Sequence, residues 1–273
     1  MKKLLTTIMA GILAIAALFT FTACNDNGKY VAKAIDGIEV EQYGFAVGNN
    51  ATKKADIIAA MNEVINETDI DAVVAYYTAV SKDETPSGSL TFANLADNTA
   101  GTLNVYTCSG FEPYEFVDAD NKVIGVDVYL MELVCEKLNM KINVVDMDFD
   151  GICGKVASED NAVGAAGITI TEERKLEVTF SNPYYSSVQC IISLEDEAFT
   201  SLDKLAGKKI GVQKGTTGAM LVEEAINSGA LKDTGAEMVE YDTGAVAYTA
   251  LKAGKIDFIV IDELPAKKLV GAN

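Results

Sequence analysis

The sequence contains no histidine, and Arg174 is the one arginine among its 22 basic residues. Without histidine, the commonest general base, the usual proton shuttle and the commonest zinc ligand are missing. Ser-His-Asp and Cys-His nucleophiles are therefore excluded. Positive charge is scarce too: 22 lysines and arginines stand against 40 acids, a formal charge of −18. Such a surface repels nucleic-acid phosphates and anionic headgroups, so no nucleic-acid partner is expected. The five cysteines, Cys24, Cys108, Cys135, Cys153 and Cys190, form no CxxC pair. The last four could form two disulfides in an oxidising space. However, Cys135 falls in an apolar helical pattern and Cys190 in a strand-like run, so buried free thiols are expected. Nothing in the sequence calls for a metal or cofactor.

What is present begins with an address. Met1-Lys2-Lys3 is a basic start, and Leu4 to Ala23 is almost wholly apolar or small. This pattern fits an export signal over residues 1–23. Phe21-Thr22-Ala23-Cys24 resembles the bacterial lipobox, with Phe21 where an aliphatic residue is usual. The resemblance implies cleavage before Cys24, lipid attachment to Cys24, and an extracytoplasmic chain held to the cell membrane. An uncleaved anchor helix is the alternative.

From Thr102 onward, strand-like and helix-like segments alternate. Strands are expected at Thr102–Thr107, Lys141–Val145, Ala162–Ala166, Lys209–Gln213, Glu237–Tyr241 and Ile256–Ile261. Helices are expected at Asp127–Leu138, Gly151–Val156, Thr217–Ile226, Ala245–Leu251 and Glu263–Leu269. The alternation predicts an α/β fold with largely parallel sheets, which place ligands at the carboxyl ends of their strands. Before it lie strand candidates at Lys29–Ile35 and Gln42–Val47 and helix candidates at Ala55–Ile65 and Asp71–Ala79. Ser81–Gly101 is polar, carries Pro86 and reads as a long surface linker.

Three groups of motifs carry a family resemblance. The first contains Phe111-Glu112-Pro113-Tyr114-Glu115-Phe116, Gly125-Val126-Asp127-Val128 and Met147-Asp148-Phe149-Asp150-Gly151. The second is Ala166-Gly167-Ile168-Thr169-Ile170-Thr171-Glu172-Glu173-Arg174 with Phe180-Ser181-Asn182-Pro183-Tyr184-Tyr185. The third is Gly211-Val212-Gln213-Lys214-Gly215-Thr216-Thr217 with Ile259-Val260-Ile261-Asp262-Glu263. In this order they resemble the family 3 extracellular solute-binding proteins, the amino-acid receptors of ABC importers. Ser158–Ala162 departs from the Gly-x-x-Asp turn usual there. The resemblance implies a two-lobed periplasmic-binding-protein type II fold with two hinge crossings.

Chain order is unusual. Glu41-Gln42-Tyr43-Gly44-Phe45-Ala46-Val47 and the two helices after it resemble the part that normally closes such a chain. This predicts a circular permutant. Residues 39–80 and 103–187 would form lobe one, residues 25–38 and 188–273 lobe two, and residues 81–102 would join the ancestral termini. The rival reading makes residues 25–80 a separate appended module.

An amino acid is a zwitterion, so its receptor must supply a cation at one end and acceptors at the other. Arg174 offers a planar fork that matches a carboxylate. Thr169 and Glu172 have capping-box spacing, which predicts a helix start with free N–H groups beside it. Gly215-Thr216-Thr217, between strand and helix, adds donors, with Thr216 and Thr217 facing the ligand. The resemblance implies Asp262 as partner of the ammonium, completed by the Gly167 carbonyl and the Thr169 hydroxyl. Phe111 and Phe149 would stack on the ligand side chain. Each has a plainer reading: Arg174 as part of a solvated helix face, Asp262 and the threonines as helix caps, the phenylalanines as core.

Cys108 stands where some relatives place an acid, and Gln213 could bond a polar group. A polar, uncharged amino acid is therefore the expected ligand. The resemblance implies the membrane subunits of an ABC importer as partners and a monomer as the working state. A dehydratase-like enzyme on a small carboxylate is the main alternative. Glu115 and Glu173 are its candidate acids, and neither has an evident partner in sequence. A ligand-sensing module is the third reading.

Overall fold

The computed structural model describes residues 29–95 and 98–272. The expected export signal and Cys24 therefore lie outside the described residues. Among those described, no helix is long and apolar enough to cross a membrane.

The chain opens with β1 (Tyr30–Ala34), β2 (Glu41–Tyr43) and β3 (Ala46–Gly48), then α1 (Lys54–Glu67) and α2 (Ile70–Ser81). After an irregular stretch come β4 (Thr102–Thr107), β5 (Phe116–Val117), β6 (Val123–Ile124), α3 (Val126–Lys137), β7 (Lys141–Asp146), α4 (Ile152–Ala157) and β8 (Ala162–Gly164). The strands β9 (Val178–Phe180), β10 (Tyr185–Ser187) and β11 (Gln189–Leu194) follow. The chain ends with β12 (Lys209–Gln213), α5 (Thr217–Asn227), β13 (Glu237–Tyr241), α6 (Gly244–Lys252), β14 (Phe258–Asp262) and α7 (Glu263–Leu269).

These strands build two five-stranded sheets, one per lobe, in the orders β7-β4-β8-β3-β9 and β1-β11-β14-β12-β13. Each is mixed rather than largely parallel. In lobe one β4 runs parallel to β7 and β8, while β3 is antiparallel to β8 and β9. In lobe two β12 runs parallel to β13 and β14, while β11 is antiparallel to β14 and β1. The parallel strands are joined through covering helices. The antiparallel ones belong to the segments that run to and from the hinge and need no crossover. Helix α1 buries Ile57, Ala60, Met61 and Val64, the stripe its periodicity predicts.

The N-terminal segment is not a separate module. Strand β1 pairs residue for residue with β11, from Tyr30↔Leu194 to Ala34↔Cys190, and β3 fills the gap between β8 and β9. The single strand expected over Gln42–Val47 is two strands. Its first half pairs with β10 as a two-stranded ribbon at the hinge, and its second half enters the lobe-one sheet. Gly44 marks the break, where the Ile170 side chain crowds the space a Cβ would need.

Beyond Ser81, the last residue of α2, the described residues of the stretch expected as a linker form no helix or strand, yet they are pinned to lobe one. Buried Asn98 donates to the carbonyls of Cys135 and Met140, and Tyr129 donates to the Thr91 carbonyl. Phe92 meets Tyr129 edge-on. Cys108, Cys135, Cys153 and Cys190 are all free thiols, three of them buried.

Candidate functional site

The carboxyl ends of β4 and β8 in lobe one face those of β12 and β14 in lobe two. Between them lies a narrow cleft lined by Phe111, Glu115, Phe149, Ala166, Gly167, Thr169, Arg174, Gln213, Thr216, Thr217 and Asp262. Strand-end placement is what an α/β sheet predicts for a ligand site. Of the expected residues only Cys108 is absent from the wall. It lies behind it, where Gln213 Nε2 approaches its sulfur at 3.6 Å.

Arg174 is buried, with 8% of its surface exposed, so the solvated-face reading fails. Its Nη1 donates to the Thr169 carbonyl at 2.7 Å, and its Nη2 crosses the cleft to the Gly215 carbonyl at 3.0 Å. Its guanidinium lies 5.3 Å from the centre of the Phe149 ring. Burial lowers the Arg174 pKa from its usual value, opposed by the charges of Glu41 and Asp262 nearby. The expected capping box is not formed. Arg174 begins a three-residue 3-10 turn, Arg174–Leu176, and its N–H is met by the Thr171 hydroxyl at 3.2 Å. The Thr169 hydroxyl is instead drawn to Glu41, a stronger acceptor than a neutral partner. The donor for an anion here is thus the arginine fork rather than a helix start.

Glu41 was not among the expected site residues. It leaves the hinge ribbon and places Oε2 between the lobes, accepting from Thr169 Oγ1 at 2.9 Å and Thr217 Oγ1 at 2.8 Å. Gln189 Nε2, also at the hinge, approaches the same oxygen at 3.3 Å. The Glu41-Gln42-Tyr43 motif carried a positional signal but nothing that marked the carboxylate as inward-facing.

Asp262 precedes α7, but its side chain does not cap that helix. It accepts from the Tyr43 hydroxyl, which reaches it from β2. Burial, and then the charge of Glu41, push the Asp262 pKa up to about 6. The Tyr43 hydroxyl is itself pushed well above its usual range by burial and by Asp262. Thr216 follows its plainer reading, since its hydroxyl accepts from the Ala219 N–H at 3.2 Å and caps α5.

Gly167 has a left-handed φ of +54°, and a Cβ there would lie 2.7 Å from Phe111 Cε1. Its N–H donates to Asp127 Oδ2 at 2.9 Å, and the Tyr184 hydroxyl donates to Oδ1 at 2.6 Å. Asp127 is fully buried, and burial pushes its pKa up to about 7 despite both bonds. It holds the backbone turn that brings Gly167 and Thr169 to the cleft. Periodicity alone could not reveal this, because Asp127 lies in the first turn of a helix, where an acid is ordinary.

Glu115 is the other residue missed as a ligand contact. It is 1% exposed, and among the described residues neither carboxylate oxygen has a hydrogen-bond partner. Glu173, the other candidate acid, is exposed. No cluster of Cys, Asp or Glu among the described residues could hold a metal ion.

Residues 103–234 match the sequence profile of the bacterial extracellular solute-binding proteins, family 3. The "Probable histidine-binding protein" of Campylobacter jejuni is 34% identical over 177 residues, which cover 64% of this chain and 66% of that protein. The arginine-binding extracellular protein ArtP of Bacillus subtilis is 28% identical over 61% of this chain and 63% of its own length. The matches thus span just under two thirds of these relatives. Among solved structures, an ancestral arginine-binding protein bound to arginine is 38% identical, with a TM-score of 0.58 over 63% of this chain and 74% of that one. Holo ArgBP from T. maritima is 35% identical, with a TM-score of 0.57 over 63% and 73%.

Proposed function

The chain belongs to the bacterial extracellular solute-binding proteins of family 3, and from that premise we propose that it binds a free α-amino acid between its lobes for delivery to an ABC importer. One observation carries the reading. Arg174 of lobe one and Asp262 of lobe two reach the same cleft, close enough to act on each other's charge. A zwitterion satisfies both, with its carboxylate on the guanidinium fork and its ammonium on Asp262 beside Glu41. Arginine and histidine, the ligands recorded in those relatives' names, share the α-amino-acid end, and this is the end the pair addresses.

Closure follows from the same geometry. The bonds from Arg174 to Gly215, Thr217 to Glu41 and Tyr43 to Asp262 all cross between lobes. A ligand that exchanges them for stronger, charged contacts favours the closed form by its differential affinity for it. Thr169, Thr217 and the Gly167 carbonyl complete the proposed ammonium shell, with Thr216, Gln213, Phe111 and Phe149 as wall. The polar, uncharged side chain expected from the sequence rests on Cys108, a buried thiol whose pKa rises to about 11.

The same reading includes a lipid anchor at Cys24, a monomer, and circular permutation of the family's chain order. Permutation is supported by the position of β1 and β3, which enter late-sequence sheets from the start of the chain. The dehydratase-like alternative would use Glu115 as its acid. It lacks a second free group, since Asp262 is held by Tyr43 and Glu41 by two hydroxyls.

A thermal-shift panel of the twenty amino acids tests the proposal, with the decarboxylated and deaminated analogue of each hit. Stabilisation by at least one amino acid and by neither of its analogues is expected. Equal stabilisation by an analogue would remove one half of the proposed site.

A further inference from the structure

A second cavity lies between the lobes, apart from the cleft. It has a volume of about 120 Å³ and shares none of the residues that line the cleft. Lys82, just past the end of α2, bounds it on one side and Leu264, Lys267 and Lys268 of α7 on the other, with Glu112 and Pro113 alongside. Helix α2 packs on lobe one, where Tyr77 meets Phe116 and Tyr129, and α7 packs on the lobe-two sheet. The space suits a group of several heavy atoms rather than a single water.

Three lysines around one cavity stand out in a chain where 40 acids outnumber 22 bases. All three are half-buried. Lys267 is answered by Glu263 at 2.7 Å. The other two meet only neutral oxygens among the described residues. Lys82 Nζ donates to the Ala272 carbonyl at 3.2 Å, and Lys268 Nζ donates to the Ser81 carbonyl. The plain reading is that each lysine serves the carbonyl end of the facing helical segment. That accounts for one N–H of the three on each ammonium. Two positive charges, partly withdrawn from water and faced by no acid of their own, remain at the wall.

We propose that this cavity is a second ligand site, distinct from the cleft, and that it takes a small organic monocarboxylate. The carboxylate lies between Lys82 and Lys268, where charge-assisted hydrogen bonds use their spare N–H groups. Its apolar body lies on Leu264 and Pro113. Glu112 on the same wall repels a second negative charge, which selects a monoanion over a phosphate dianion. Because Lys82 and Lys268 come from different lobes, the bound anion bridges them.

The test is a thermal-shift titration of residues 24–273 in which sodium butyrate replaces sodium chloride at constant ionic strength, so that screening does not change. The neutral isostere 1-butanol and inorganic phosphate serve as comparisons. Butyrate should raise the melting temperature in a saturable way at millimolar concentration, and butanol and phosphate should act at least about 5-fold more weakly. Lys82→Gln and Lys268→Gln each keep an N–H donor for the carbonyl but lose the charge, and each should weaken the butyrate effect by at least about 5-fold. No saturable effect in the wild-type chain would overturn the inference without any variant having to fold. So would an undiminished butyrate effect in either lysine variant, which would place the carboxylate elsewhere. An equal effect from butanol or phosphate would overturn the assignment to a monocarboxylate.

Discussion

Arg174 Nη2 donates across the cleft to the Gly215 carbonyl at 3.0 Å, so the guanidinium of one lobe is held by neutral backbone of the other. Neutral acceptors satisfy its N–H groups but leave its charge to be met, and a ligand carboxylate would meet both. Arg174→Ala should therefore weaken amino-acid binding by about 2–5 kcal/mol, and Arg174→Lys nearly as much, because a point charge cannot reproduce the fork. Competition binding against the wild-type ligand checks both. Equal affinity in the lysine variant would show that charge alone suffices.

Gly215 offers a way to separate closure from folding. Its φ is +73°, and a Cβ would lie 2.7 Å from Asp150 Cβ and 2.9 Å from Asp150 Cα in the facing lobe. Gly215→Ala should cost about 1–2 kcal/mol through backbone strain within lobe two. The larger effect should be on closure, because the new methyl group meets backbone that only the closed form brings near. Small-angle scattering with saturating ligand should show a larger radius of gyration than the wild type. An identical radius would show that the lobes accommodate the methyl group.

Tyr43→Phe removes the hydroxyl that satisfies buried Asp262. Leaving a buried acceptor without its donor should cost about 1–3 kcal/mol, read by urea denaturation of the ligand-free chain. A change below about 0.5 kcal/mol would mean that water or Gln189 takes over the bond.

Two buried acids give opposite pH trends for stability and binding. Asp262 and Asp127 have folded-state pKa values raised to about 6 and about 7, above those of an unfolded carboxylate. A raised carboxyl contributes stability that is fully present below its unfolded pKa and is lost as pH rises through the folded one. The ligand-free chain should therefore melt at a higher temperature at pH 5 than at pH 8, with the fall steepest below about pH 6, where both acids contribute, and ending near pH 7. Binding of an ammonium needs Asp262 ionised, so affinity should fall as pH drops below about 6. A melting temperature that rises from pH 5 to pH 8 would contradict the assignment of both shifts.

Deleting residues 29–81 tests how the N-terminal segment is used. It removes β1 from the edge of one sheet and β3 from the interior of the other. The remaining chain should fail to fold cooperatively by circular dichroism and calorimetry. A folded remainder would restore the appended-module reading.

Much of this was legible in the sequence because the carrying signals are local. Helical periodicity located α1 and α3, and alternating strands and helices placed Gln213 and Asp262 at strand ends. The uniqueness of Arg174 drew attention to a position that proves buried. What escaped depends on contacts between distant segments. Thr169 is three residues before Glu172, yet its hydroxyl turns to Glu41, 128 residues away. No local pattern separates that from a capping box. Asp127 and Glu115 likewise look like ordinary acids at a helix start and before a short strand. Asp127 is held by Tyr184 and Gly167, which arrive from elsewhere in the chain. The mixed character of both sheets was hidden for the same reason, since antiparallel β3 and β11 pair with strands far off in sequence.

The most direct test of the central claim is isothermal titration of residues 24–273 with each of the twenty amino acids, repeated with Arg174→Ala. At least one should bind with a micromolar or tighter Kd, and that binding should be lost in the variant. Absence of binding to every amino acid, or the same Kd in Arg174→Ala, would contradict the account.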